Sequence, residues 1–128
     1  MTDPVIFDGK DAEDIPWIDF EHPGCYIKPL GQHPESLAVG GYFRMEPNSM
    51  SAEHSHPSDQ FSYILEGEVS VDGKMYGPGS FFHYPAGVVH GPLKTGEKGM
   101  LLFACYSGPS GQEAMLKLKT IKENNKSE

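Results

Sequence analysis

Four residues of metal-ligand type cluster in the middle of the chain: His54, His56 and Gln60, followed by His90. Two histidines one residue apart on a strand point to the same side, because side chains alternate with a period of two. His54-Ser55-His56 therefore turns two imidazoles toward one point, and Gln60 adds an amide oxygen further along. His90 arrives from a separate strand, after a turn at Pro85 and Gly87. Three imidazoles and an amide oxygen suit one divalent transition metal, whether iron (Fe), zinc (Zn), nickel (Ni), manganese (Mn) or copper. This donor set is neutral, so a divalent ion would keep its full double charge. Such a charge lowers the pKa of bound water and draws anionic substrate oxygens. Four protein ligands on an octahedral ion leave two adjacent positions, enough to chelate a hydroxy-carbonyl compound or to hold substrate and O2 side by side. The competing view, of ordinary polar residues beside a turn, does not account for four donors at these spacings.

The elements that must position these residues are short strands. The chain has 15 Gly and 11 Pro, which break it into apolar runs of strand length and argue against a helical bundle. Strands are expected at 24–30, at 37–45 with Gly40-Gly41 inside, at 60–65, at 69–71, at 74–76, at 80–84 and at 100–106. Glycines within a strand mark a bulge or a close backbone approach. Asp72-Gly73 reads as a tight hairpin turn, Glu66-Gly67 as a strand end, and Lys94 to Gly99 as a polar loop. Strands every eight to twelve residues, split by Gly/Pro turns, predict an all-β antiparallel jelly-roll barrel. Length fits a single domain over 1–128, with an N-terminal arm at 1–23, a β-barrel at 24–110 and a tail at 111–128. In the arm, seven acids stand against one lysine, a short strand is expected at Val5-Ile6-Phe7, and Trp17, Ile18 and Phe20 should cap one barrel end or a subunit interface. In the tail, Met115, Leu118 and Ile121 with interleaved lysines suggest a short C-terminal helix.

The formal charge of −8 argues against nucleic acid as a partner. No apolar run reaches membrane-spanning length, so no membrane partner is expected. The acidic start, with no basic or apolar leader, is unlike a signal peptide. Two cysteines, Cys25 and Cys105, make no disulfide framework. Free thiols in a reducing cytoplasm are the simpler reading.

The histidine spacing resembles the two motifs of the cupin family. The first runs from His54 to Gly67 as H-x-H, three residues, Gln60, six residues, Gly. The second runs from Gly79 through Pro85-Ala86-Gly87 to His90. Gln60 stands where the family usually has Glu, Lys94 where it has Asn, and Asn48 where it has Gly. The resemblance implies a double-stranded β-helix barrel, a metal held by His54, His56, Gln60 and His90, and a homodimer formed by strand exchange at the barrel edge. Trp17, Gly24, Lys28 and Leu30, with Tyr76 to Ser80, resemble the group of ChrR-type anti-sigma factors and dihydroxyacetophenone dioxygenase. His54 to Gln60, with Pro85 to Gly91, resembles small sugar-acid cupins that act on unsaturated uronates.

Beyond the ligands, Ser62 and Ile64 share the Gln60 face and should line the pocket. Arg44 and Tyr42 share a face with each other. If that face is inward, Arg44 is placed to pair with a carboxylate. His83 is a candidate proton-transfer group, while His22 and His33 sit in Pro-containing turns and read as structural. Phe61, Tyr63 and Phe81-Phe82 read as core or sheet-packing residues. No residue stands out as a dedicated general base. The expectation is a metal-dependent enzyme acting on a small oxygen-rich carbonyl compound. It would be either an Fe(II) dioxygenase of ketones or phenols, or a non-redox isomerase, lyase or cyclase. The alternative is a non-catalytic sugar-binding or sensor module.

Overall fold

The computed structural model describes residues 3–20 and 22–110. A short helix, α1 (Gly9–Glu13), precedes eight strands: β1 (Ile18–Asp19), β2 (Cys25–Gln32), β3 (Val39–Met45), β4 (Met50–Ser51), β5 (Gln60–Val71), β6 (Lys74–Tyr76), β7 (Phe81–Tyr84) and β8 (Leu93–Tyr106). The order is β1-β2-β3-β8-β5-β6, with β4 also on β8 and β7 also on β5. The strand pairs are antiparallel.

Two long strands make this a double-sheet barrel. β8 pairs β3 through Met100 to Tyr106 and β4 through Leu93 and Lys94, while also pairing β5. β5 pairs β7 through Gln60 to Tyr63 and β6 through Val69 to Val71. The β5–β8 register shifts between Ile64 and Glu66 and again between Gly67 and Val69. Bulges bend a strand and increase its twist, and here they carry both strands from one sheet into the other. Gly67 sits at that bend with φ +74°, and a Cβ there would overlap the Gly99 carbonyl oxygen. The first half of β5 alternates cleanly, with Gln60, Ser62 and Ile64 buried and Phe61 and Tyr63 exposed. Inward residues build the core from Met45, Ile64, Val69, Met100 and Leu102. A second cluster of Ile18, Phe20 and Ile27 closes the side next to the site.

Several expectations needed revision. β5 does not stop at Glu66-Gly67, because the bulges let it continue past the glycine. Lys94 to Gly99 is strand rather than loop. Backbone pairing to β4 and β5 sustains it, helped by the Thr95 hydroxyl, which donates to the Glu46 carbonyl at 2.6 Å. Val5-Ile6-Phe7 forms no strand and is exposed. α1 follows instead, nucleated by Asp8, whose carboxylate accepts from the Asp11 N–H at 2.8 Å. β1 pairs β2, so the sheet begins inside the segment read as an arm. Asp72 and Gly73 both take positive φ, 51° and 78°, the geometry of a type I′ hairpin between β5 and β6. His33 is structural, its Nδ1 accepting from the backbone of Glu35 and Ser36. Gly41 marks a close approach, to the backbone of Lys28 and Pro29. The helix expected in the tail lies outside the described residues.

Candidate metal centre

The three histidines meet because of backbone register. His54 and His90 exchange both backbone hydrogen bonds, at 3.0 and 2.8 Å, in an isolated antiparallel bridge. His56 is reached by a second tie, with the Gly87 N–H donating to the His56 carbonyl at 2.8 Å. Gly87 holds φ +78° there, a turn conformation that glycine adopts without cost. The H-x-H stretch is thus pinned by a bridge and a turn, not carried on a full strand. The rings stand 4.4 Å apart for His54–His90, 4.9 Å for His54–His56 and 5.2 Å for His56–His90. One ligand nitrogen from each lies within 4.8 Å of the others.

Hydrogen bonding prepares these rings. The His54 Nδ1 lies 2.7 Å from the Ala52 carbonyl oxygen, and the His90 Nδ1 lies 3.2 Å from that of Val88. A carbonyl only accepts, so both Nδ1 atoms carry the proton, and in the neutral ring the lone pair lies on Nε2. The His56 Nδ1 pairs with the Ser110 hydroxyl at 3.0 Å. Partners of this kind orient metal-binding imidazoles. Burial, reinforced by the charges of His54 and His90, lowers the His56 pKa to about 4. Burial also lowers that of His90. Both are therefore neutral donors at neutral pH. Tyrosines wedge the rings in place: Tyr84 stacks on His90 at 4.0 Å, and Tyr106 meets His56 edge-on at 5.3 Å.

Gln60 opens β5 and pairs with Tyr84 on one side and Tyr106 on the other. Its Nε2 donates to the Ser62 hydroxyl at 2.8 Å, while its Oε1 is buried with no partner among the described residues. The three histidines, Gln60 and Ser62 line one cavity of about 30 Å³, room for an ion and a water or two. Among the described residues no carboxylate, lysine or arginine lines it, and its other walls include Phe20, Phe43, Tyr84 and Leu102. Three imidazole nitrogens and an amide oxygen unpaired among the described residues, around an ion-sized space, fit a divalent transition metal.

The remaining sequence candidates stand elsewhere. Val39, Gly41 and Met45 point inward on β3, so Tyr42 and Arg44 point outward. Arg44 is exposed and lies over the rings of Trp17 and Tyr26, at 4.8 and 4.9 Å. Tyr42 packs edge-on against Phe103. His83 is exposed, stacked on Phe61, with its Nε2 3.5 Å from Asp59. None of the three lines the cavity. Ser62 lines it as expected, but Ile64 belongs to the core. Phe61, Tyr63 and Phe81 are exposed, and Phe82 alone of that group packs against the core. His22 sits with its ring 5.9 Å from His54 and its buried Nε2 unpartnered. Sequence reasoning missed Tyr84 and Ser110. Tyr84 follows from parity with Phe82 once β7 is placed, whereas no local signal marks Ser110.

A jelly-roll barrel with three histidines converging inside it defines a cupin. More narrowly, residues 8–109 match the ChrR cupin-like domain family, and the chain belongs to it. No curated protein matches the sequence significantly. Among solved structures, the chain is similar to KdgF from Halomonas sp., at 19% identity over 78% of this chain and 93% of that one, with a TM-score of 0.62. It is similar to an acetylacetone dioxygenase from Acinetobacter johnsonii, at 16% identity over 85% and 76%, with a TM-score of 0.65. It also resembles the Rhodobacter sphaeroides SigE–anti-sigma ChrR complex, at 17% identity over 73% of this chain and 49% of that one, with a TM-score of 0.61. At these identities the likeness is one of fold. Among the described residues no helix is long and apolar enough to cross a membrane.

Proposed function

We propose that this cupin is a metal-dependent enzyme acting on a small, oxygen-rich carbonyl compound. His54, His56, His90 and Gln60 would hold one divalent metal, Fe, Zn, Ni or Mn. The observation that carries this reading is the buried Gln60 Oε1, unpartnered among the described residues, beside three imidazoles whose ligand nitrogens lie within 4.8 Å of one another. When bound, the metal supplies a Lewis acid that polarises a carbonyl, or, as iron, a redox centre. The protein's own groups supply the rest. Phe20, Phe43, Leu93 and Leu102 exclude water. Burial raises the Tyr84 pKa, followed by the charge of Asp72 and the effect of Tyr76. Its phenol therefore stays protonated at neutral pH and acts as a hydrogen-bond donor, not a base. The neutral donor set favours Lewis-acid chemistry on an anionic substrate.

A second reading, an oxygenase cleaving a diketone, draws support from the likeness to the acetylacetone dioxygenase. A non-catalytic sensor draws support from the likeness to the anti-sigma factor. That Cys25 and Cys105 form no disulfide supports a reducing cytoplasmic setting, and the net charge of −8 supports the exclusion of nucleic acid.

The test is metal content by mass spectrometry on protein purified without a metal-affinity column. Turnover of β-diketones and unsaturated uronates would then be assayed with and without oxygen. Oxygen-independent turnover is the expected result. Oxygen uptake would move the assignment to the dioxygenase, and ligand binding without turnover would move it to the sensor.

A further inference from the structure

We propose that Ser62 is a positioning residue that holds the Gln60 amide with its oxygen, not its NH2 group, presented to the histidine cluster. This rests on the metal reading above. Gln60 and Ser62 stand two residues apart on β5, so both face inward, and they are 8% and 2% exposed. The Gln60 Nε2 donates to the Ser62 Oγ at 2.8 Å. That bond occupies the donor end of the amide and leaves Oε1 as the atom Gln60 offers to the cavity both residues line.

The two ends of an amide are nearly equal in size and opposite in polarity. Turned over, Gln60 would present NH2 to the cluster. His90 there has its Nδ1 committed to the Val88 carbonyl, leaving a lone pair on Nε2. Without an ion, that lone pair would welcome an NH2 donor. With an ion, the same NH2 would repel it and the fourth ligand would be lost. The observed arrangement is the one that suits a cation, and it leaves a buried acceptor unpaired until the cation arrives. Such an acceptor is costly to bury alone, so something must hold it. Among the described residues Ser62 Oγ is the one hydrogen-bond partner of the amide, and it grips the end away from the cluster. A glutamate, with two equivalent oxygens, would need no such hold. The Ser62 hydroxyl is thus tied to the choice of glutamine at position 60.

The experiment titrates Co(II), as affinity and spectroscopic probe, into metal-stripped wild type, Ser62→Ala, Gln60→Ala and the double variant. Thermal melts check that each is folded. Ser62→Ala should lose about tenfold in Co(II) affinity and shift the visible d–d bands. In the Gln60→Ala background the same change should cost less than about twofold, because the residue it positions is gone. Ser62→Thr should restore affinity. Ser62→Cys, nearly isosteric but a poor acceptor, should behave as Ser62→Ala and replaces it if the alanine variant does not fold. Equal losses in both backgrounds, or no loss in either, would overturn the proposal, as would failure of both small variants to fold. Wild type that takes up no Co(II) would remove the metal reading and this proposal together. Wild type that binds normally alongside an unchanged Ser62→Ala would reject only the role of Ser62.

Discussion

Each histidine of the cluster has its Nδ1 engaged, with Ala52 for His54, Ser110 for His56 and Val88 for His90. Fixed rings lose little freedom when a metal binds, so removing one should be severe. His90→Ala should lower metal affinity by more than about a hundredfold, beyond the range for loss of an outer partner alone. Metal content after dialysis, by mass spectrometry, checks this, and retained metal would reject His90 as a ligand. Gln60→Glu tests charge instead of geometry. A carboxylate there halves the net charge of a divalent site, so the variant should keep its metal yet bind oxalate at least about tenfold more weakly. Calorimetric titration measures it, and unchanged oxalate affinity would show the neutral ligand to be incidental.

At the scale of elements, the site depends on how β5 and β8 bend. Gln60 opens β5 at one end, and Gly67 lets the same strand cross into the second sheet. Gly67→Ala would force a Cβ onto the Gly99 carbonyl at a positive φ. Gly99 is itself closely packed, since a Cβ added there would come 2.6 Å from the Met45 carbonyl oxygen. The substitution should cost about 3 kcal/mol or more. Urea denaturation would read this as a lower midpoint with an unchanged slope. A cost below about 1 kcal/mol would mean that the bend relaxes freely.

At the scale of the whole molecule, the outer sheet face carries a cross-strand row of aromatics. Tyr42 pairs with Phe103, Phe103 with Tyr63, and Tyr63 with Phe81. Tyr63 and Phe81 are 49% and 61% exposed, an extended apolar surface of the kind that marks an interaction site. The sequence led to a homodimer by strand exchange at the barrel edge; a homodimer is proposed here with this face, instead of that edge, buried between two copies. Light scattering behind gel filtration should give twice the chain mass, and Phe81→Glu should shift it to one. A monomeric wild type would refute the dimer.

The residue types and their local spacing were enough, from sequence alone, to pick out His54, His56, Gln60 and His90, the alternation along β5 and the Asp72-Gly73 hairpin. These are local properties, set by side-chain period and by φ preferences, so they can be read without knowing what lies opposite. What only tertiary structure decided was non-local. Period two placed Arg44 and Tyr42 on one face, but the pairing of β3 with β2 and β8 made that face the outer one. His83 was turned outward by the register of β7 on β5. Ser110 reached His56 only because the end of β8 is stitched to the loop before Gln60, where the Ser107 hydroxyl accepts from the Asp59 N–H. Lys94 to Gly99 looked like a loop because its composition is polar. It is strand because its backbone partners lie on β4 and β5, and no reading of side-chain pattern within that segment could have shown those partners.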